Sequence, residues 1–191
     1  MKETYFLDQT FEGQDFTKNP LNKGDYENCT FNNCNFGNHN FVNFKFVDCD
    51  FENCNLSLAN IAGTTFQNVN FKNCKMLGLR FDVVHPFGLS FSFEGCQLNH
   101  SSFFKLKIKK TIFKDSQLQE TDFVETDLSN AIFEGCDLSM AVFNRSLLEK
   151  ADFRTAYNYS IDPENNKIKK AKFAIAGISG LLNKYDILIE E

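Results

Sequence analysis

Seven cysteines and three histidines are the side chains of this sequence best suited to hold a metal or attack a carbonyl. In "NCTFNNCNF" (28–36) Cys29 and Cys34 stand five residues apart, and "DCDFENCNL" (48–56) repeats the spacing with Cys49 and Cys54. Paired Cys-x4-Cys would suit zinc, and in an oxidising compartment it would suit disulfides. The wider pattern argues against both. Cys29, Cys34, Cys49, Cys54, Cys74, Cys96 and Cys136 each lie two residues before a large apolar side chain. Elsewhere that same position holds Ala59, Thr64, Ser101, Thr111, Ser116, Thr121, Ala131, Ala141 and Ala151. It is a slot for small buried groups, in which free cysteine behaves as a small hydrophobe. No histidine repeats alongside, and an odd number of cysteines suits free thiols in a reducing compartment. His39 falls in the small-residue slot, while His85 and His100 belong to no recognisable catalytic motif. The sequence also lacks a phosphate-binding G-x-x-x-x-G-K-[ST] loop, H-E-x-x-H and G-x-S-x-G. The expectation is a non-enzyme with no catalytic, cofactor-binding or metal-ligating residues.

The elements that fix these slots follow from a period of five. Counting in fives from Phe6 meets a large apolar residue at every step to Phe81; after a two-residue slip the series runs from Phe93 to Phe153. The steps take in 18 of the 23 phenylalanines, and there is no tryptophan. Such self-similarity has to be read before any helix or strand is assigned. On an α-helix, five residues overshoot one turn by about 140°, scattering the apolar groups around the axis. On a strand, five is odd and would alternate them between faces. Each unit is therefore a short extended side followed by a corner that restores the inward direction.

The number of sides per coil is readable too. Every fourth slot, Phe11, Phe31, Phe51, Phe71, Phe93, Phe113, Phe133 and Phe153, is phenylalanine. The next column reads Phe16, Phe36, Leu56, Met76, Leu98, Leu118 and Leu138. A four-sided coil of 20 residues accounts for both, and coils stacked about 4.8 Å apart make a rod. Two residues after the phenylalanine column come Gly13, Asn33, Asn53, Asn73, Gly95, Asp115 and Gly135, types that tolerate corner conformations. The slip, "DVVHPFGLSF" (82–91), carries Pro86 and Gly88 as turn signals, and Phe87 is expected to fill the missing core slot. A loop of this kind is a candidate contact, which makes Pro86 and Phe87 candidate partner-binding residues.

Past Phe153 the five-residue series is read as ending. Ile168, Ala171, Ile175, Ile178 and Leu182 lie at helical spacing, predicting a helix over 167–184 that caps the last coil. Gly177 and Gly180 weaken such a helix, so it requires a surface to pack on. "YDILIE" then reads as a short strand, either capping the rod or pairing two chains. Residues 1–160 thus form the repeat unit, with the slip at 82–92, and 161–191 a helix–strand cap and dimerisation module. Leu182, Tyr185, Ile187 and Ile189 are the candidate dimer contacts.

A net charge of -5 gives no general attraction to nucleic acid or anionic membranes, and neither is expected as a partner. The start, "MKETYFLDQTF", lacks a signal-peptide layout and no apolar run reaches membrane-spanning length, so a cytoplasmic location is expected. Between residues 115 and 137 the positions read as outward include Asp115, Glu120, Asp122, Glu125, Asp127, Glu134 and Asp137, with no lysine or arginine among them. "KLKIKK" answers them with Lys105, Lys107, Lys109 and Lys110 on one turn. Ordinary solvation with mixed signs is one reading. An acidic rod that enters a DNA-binding groove on a partner is the other, with Glu120, Asp122, Glu125, Asp127 and Asp137 as contacts.

These repeats resemble the pentapeptide-repeat family over about residues 4–155. The resemblance implies an all-β solenoid, a right-handed quadrilateral β-helix, here with a C-terminal capping helix and short strand. "KFAIAGISGLLNKYDILIEE", together with the break after Phe81, is similar to the Qnr-type quinolone-resistance and microcin B17 immunity group. That similarity implies a tail-to-tail homodimer that engages DNA gyrase or topoisomerase IV as a DNA mimic and relieves its poisoning. Many Qnr-type members project long loops, whereas only two extra residues occur here. A scaffold or interaction module with an unrelated partner is the alternative.

Overall fold

The computed structural model describes residues 4–190, so the outermost residues of the two expected segments, 1–3 and 191, lie outside it. Two parallel sheets carry the ladder. Strands Tyr5–Leu7, Asp25–Glu27, Lys45–Val47 and Thr65–Gln67 stack as one face of the rod. Strands Thr10–Glu12, Thr30–Asn32, Asp50–Glu52, Val69–Lys72, Phe91–Glu94, Ile112–Lys114 and Ile132–Glu134 stack as the second. The third and fourth faces are held by single bridges, such as Asn35 to Asn55 and Ser102 to Asp122. Tyr5 pairs with Asp25, Asp25 with Lys45 and Lys45 with Thr65, which is the 20-residue coil in register. The chain is a four-sided parallel β-solenoid, as the periodicity requires.

Apolar slots point inward and fill the axis. On the second face the rings from Phe11 to Phe173 form one stack, with neighbouring centroids between 4.6 Å (Phe31–Phe51) and 5.4 Å (Phe71–Phe93). Parallel strands impose this spacing, and it leaves the rings close to an attractive offset stack. The corners need the left-handed region: Asn33, Asn53 and Asn73 have φ near +50°, and Gly95 and Gly135 near +60°. Asparagine tolerates that region better than most residues and also ladders along the corner, as where Asn68 donates to Asp48 at 2.6 Å.

Three features depart from the sequence-based expectations. The ladder does not stop at Phe153: Leu147 bridges Lys167, Asp152 bridges Lys172, and Phe173 stacks on Phe153 at 5.3 Å. Ile168 and Phe173 therefore continue two core columns, and the helical spacing of Ile168 with Ala171 is coincidental. The helix is a short three-ten segment, Ile175–Leu181, with a second turn at Asn183–Tyr185. Gly177 and Gly180 lie so close to Tyr159 that a Cβ on either would overlap it, which is how this helix finds its packing surface. Residues 186–190 form no strand, and Phe87 is 76% exposed instead of filling the core. Leu89 packs against the core in its place.

Candidate interaction surfaces

The small-residue slot has a specific hydrogen-bonding task. Thr64 Oγ1 donates to the carbonyl of Phe41 at 2.7 Å, Thr126 to Phe103 at 2.8 Å and Ser146 to Phe123 at 2.9 Å. Each link runs 23 residues back, to the large apolar residue one coil away. The thiols do the same: Cys49 reaches the Tyr26 carbonyl at 3.4 Å and Cys54 the Phe31 carbonyl at 3.2 Å. They are buried donors that satisfy solenoid carbonyls. All seven cysteines are free and buried. Burial pushes the Cys34 thiol up to about 11 and the Cys49 and Cys136 thiols up to about 12, so they remain protonated and poorly nucleophilic. Among the described residues no group of three or more histidines, cysteines or carboxylates could hold a metal ion.

His39 is the exception in that slot. It is buried among Phe16, Phe36, Phe41 and Phe44, and its Nε2 has no hydrogen-bond partner among the described residues. Burial lowers its pKa below the ordinary value. It borders a cleft with Thr17, Pro20 and Lys23, but among the described residues no side chain there is hydrogen-bonded to it.

The acidic residues do not make a track along the rod. Glu120, Asp122, Glu125 and Asp127 follow one another around a single coil, and Asp137 stands on the third face one coil further on. Most are matched by a group 18 to 20 residues away. His100 Nδ1 faces Glu120 at 3.2 Å, and Glu125 lies between Lys105 at 3.6 Å and Arg145 at 2.7 Å. Asp127, read from the sequence as outward, is buried and pairs with Lys109 at 3.2 Å. Its burial favours the neutral acid, but bonds from Ser129 and the lysine outweigh this and the pKa falls. Asp137 is likewise lowered, with bonds from Ser139, Gln119 and Asn158 overcoming partial burial. Asp122 spends one oxygen on the Val124 amide at 2.8 Å. Of the five candidate contacts, Glu120 and Asp122 are the two that remain partly available to a partner. The ring was legible in the 20-residue coil, which places Lys105, Glu125 and Arg145 in one column.

Beside single exposed apolar residues such as Leu58 and Met140, two places stand out. Pro86 and Phe87 form the tip of the slip on the first face, where the Phe87 amide donates to His85 Nδ1 at 3.3 Å. At the C-terminal end Ile175 and Leu188 are 90% and 94% exposed, with Ile178, Ile187 and Ile189 about half exposed. Tyr185 is held by its hydroxyl, which donates to Glu164 at 3.0 Å, and Leu182 is partly covered. The four expected dimer contacts thus fall on one end of the rod, beside two that the sequence reading did not count among them, Ile175 and Leu188.

Residues 89–174 match the family described as Pentapeptide repeat region, and residues 40–78 match Pentapeptide repeats (8 copies). Together they span well over half of the chain. It is a pentapeptide-repeat protein. Among solved structures, the solenoid superposes on a trypsin-treated variant of QnrB1, a plasmid-mediated fluoroquinolone resistance protein, with a TM-score of 0.75. That match has 16% identity and covers 98% of this chain and 92% of the other. Full-length QnrB1 matches at a TM-score of 0.49 and 18% identity, covering 96% of this chain and all of the other. HetL, a pentapeptide-repeat protein involved in heterocyst differentiation regulation in the cyanobacterium Nostoc sp. strain PCC 7120, matches at 0.43 and 16%, covering 89% and 85%. At such identities the likeness establishes the fold alone. No curated protein sequence matches the chain. Among the described residues no helix is long and apolar enough to cross a membrane.

Proposed function

We propose that this pentapeptide-repeat chain is a non-enzymatic binding rod that engages a type II topoisomerase and protects it from fluoroquinolones or a gyrase-directed toxin. The observation that carries the reading is the end-to-end match to a QnrB1 structure, which extends over 98% of this chain and so includes its C-terminal cap. The filled axial core supports a role in binding over one in catalysis: the thiols are capped against carbonyls and the buried histidine is hydrogen-bonded to no side chain of its cleft. Contacts to the partner come from Glu120, Asp122 and the Phe87 tip, and two copies associate through the exposed C-terminal isoleucines and Leu188 in the cytoplasm.

A second reading is favoured by the charges. A mimic of the DNA backbone needs unpaired negative groups along its length, whereas Glu125 and Asp127 are neutralised by Lys105, Arg145 and Lys109. The same rod would then serve as an interaction module with a different protein partner. A gyrase supercoiling assay with titrated protein, with and without ciprofloxacin, separates the two. Restored supercoiling in the drug is the expected result. No effect on gyrase or on topoisomerase IV would overturn the topoisomerase reading and leave the module.

A further inference from the structure

The lysines noted in "KLKIKK" are part of a larger feature. On the first face, Lys107, Asp127, Leu147 and Lys167 are stacked rungs, so the lysines that flank them share that face. Lys107 and Lys110 stand on one rung, Lys150 two rungs on, and Lys167, Lys169 and Lys170 on the next. All six are exposed. Most other basic side chains of the chain have an acidic partner, as Lys105 and Arg145 have Glu125. Among the described residues those without one are Lys23, Lys45 and Lys75, scattered over three faces, and these six. The only carboxylates between the lysine rungs are Asp127, buried against Lys109, and Glu149. Glu149 lines a shallow cleft with Lys150, Lys169 and Lys170. Toward the N-terminus the same face turns acidic, with Asp8, Asp25, Glu27 and Asp48. The net charge of -5 therefore hides a face that is basic along one half and acidic along the other.

We infer that this lysine face binds the phosphate backbone of a nucleic-acid duplex. Three rung intervals of about 4.8 Å fix the cations over roughly 14 Å, a rigid array that suits a rigid polyanion. Lysine presents a point charge without the bidentate fork of arginine, and Phe87, the exposed aromatic at the slip tip of this face, precedes the first lysine rung, so that among the described residues none stands between the rungs to stack on a base. The contact is therefore to phosphates and independent of sequence. The acidic half of the face repels the duplex, which confines it to the C-terminal half of the rod. This surface is separate from the Glu120 and Asp122 contacts and does not depend on the topoisomerase reading.

The test is fluorescence anisotropy of a labelled duplex of about 24 base pairs titrated with the full chain across a salt series. Six phosphate contacts predict a log–log salt slope of about -5 and an affinity that falls about a thousandfold between 50 and 200 mM salt. A variant carrying Lys107→Gln, Lys110→Gln, Lys150→Gln and Lys169→Gln should keep its melting temperature and reduce the slope to about -2. The control Lys23→Gln, Lys45→Gln, Lys75→Gln should leave it unchanged. Absence of binding at low salt, or equal losses in both variants, overturns the inference. Equal or tighter binding to polyglutamate, or to vesicles rich in anionic lipid, would reassign the face to an acidic protein or a membrane and overturn it too.

Discussion

Phe71 and Phe93 stack ring on ring at 5.4 Å, although 22 residues separate them where every other pair in the column is 20 apart. The two additional residues are absorbed entirely at the Pro86–Gly88 tip, between the His85 amide bonded to Thr64 and the Ser90 amide bonded to Phe66. The core stack is thus continuous across the slip and makes no use of the tip. Phe93→Ala should cost about 3–5 kcal/mol in urea unfolding, while Phe87→Ala should stay within about 0.5 kcal/mol of the parent. A large loss in Phe87→Ala would mean that the tip holds the two halves of the rod together. A stable Phe87→Ala protein that no longer acts in the supercoiling assay would make the tip a contact.

Buried thiols that serve as hydrogen-bond donors make a different prediction. Cys54→Ser keeps a donor aimed at the Phe31 carbonyl, whereas Cys54→Val removes it and adds bulk beside Cys34 and Cys74. Serine should be tolerated within about 1.5 kcal/mol and valine should be worse by about 1–3 kcal/mol. Native protein should react with a thiol reagent only as fast as it unfolds, and a chelator should leave its melting temperature unchanged. Rapid labelling of the native chain would contradict the burial on which this account rests.

The coil length and the rod were legible because hydrophobic periodicity is imposed by burial, and Phe11, Phe31 and Phe51 had no other way to share an interior. The end of the rod was misread because Ile168 and Ala171 fit a helical spacing as well as a coil, while Phe173 stood 20 residues from Phe153 and settled the matter. Sequence order also misled on charge. Glu125 and Asp127 look unpaired along the chain because their cations lie one coil away, a distance that only the stacked structure makes short. The first-face lysines were partly visible in "KLKIKK", but joining them to Lys150 and Lys167 required knowing that the ladder continues past residue 160.

Protonation of His39 should be visible in stability. Its pKa is lowered in the folded chain by burial among phenylalanines, relative to 6.5 for the unfolded chain. A depressed folded value means that the contribution is complete above 6.5 and is lost as pH falls below it, because the unfolded chain takes up the proton first. Stability should therefore decline below about pH 6.5 by at most about 1.4 kcal/mol per pH unit, before the carboxylates begin to titrate. His39→Ala should be less stable at neutral pH and flatter between pH 7 and 5. An equally steep decline in the variant would assign the pH dependence to another group.

Asp127 and Glu120 lie seven residues apart on one coil but should respond oppositely to mutation. Asp127 is buried, accepts from Ser129 at 2.6 Å and faces Lys109, so Asp127→Ala should cost about 1–3 kcal/mol. Glu120 is exposed beside His100, and Glu120→Lys should leave the melting temperature unchanged. Partner binding is consequently tested with Glu120→Lys and Asp122→Lys, since a reversal at Asp127 would confound lost contact with lost fold. Full rescue of gyrase supercoiling from ciprofloxacin by that double variant would exclude the acidic coil as the contact.

The C-terminal end holds the two most exposed large apolar side chains among the described residues. Leu188 is 94% exposed and Ile175 90%, and Ile187 and Ile189 flank Leu188 on a segment without a ladder partner of its own. Burying such a side chain contributes about 1.5–3 kcal/mol, and a second copy docking the same end against this one would cover the cluster on both chains at once. Lys184, paired with Asp162 at 2.7 Å and Glu164 at 2.6 Å, fixes the turn that presents it. Light scattering should accordingly give a dimer for the parent and a monomer for Ile187→Asp, with the melting temperature of the solenoid little changed. Lys184→Ala should weaken association less, because it loosens the turn without removing the apolar groups. A monomeric parent would show that the cluster does not pair with itself, and a dimeric Ile187→Asp chain would move the interface to another part of the rod.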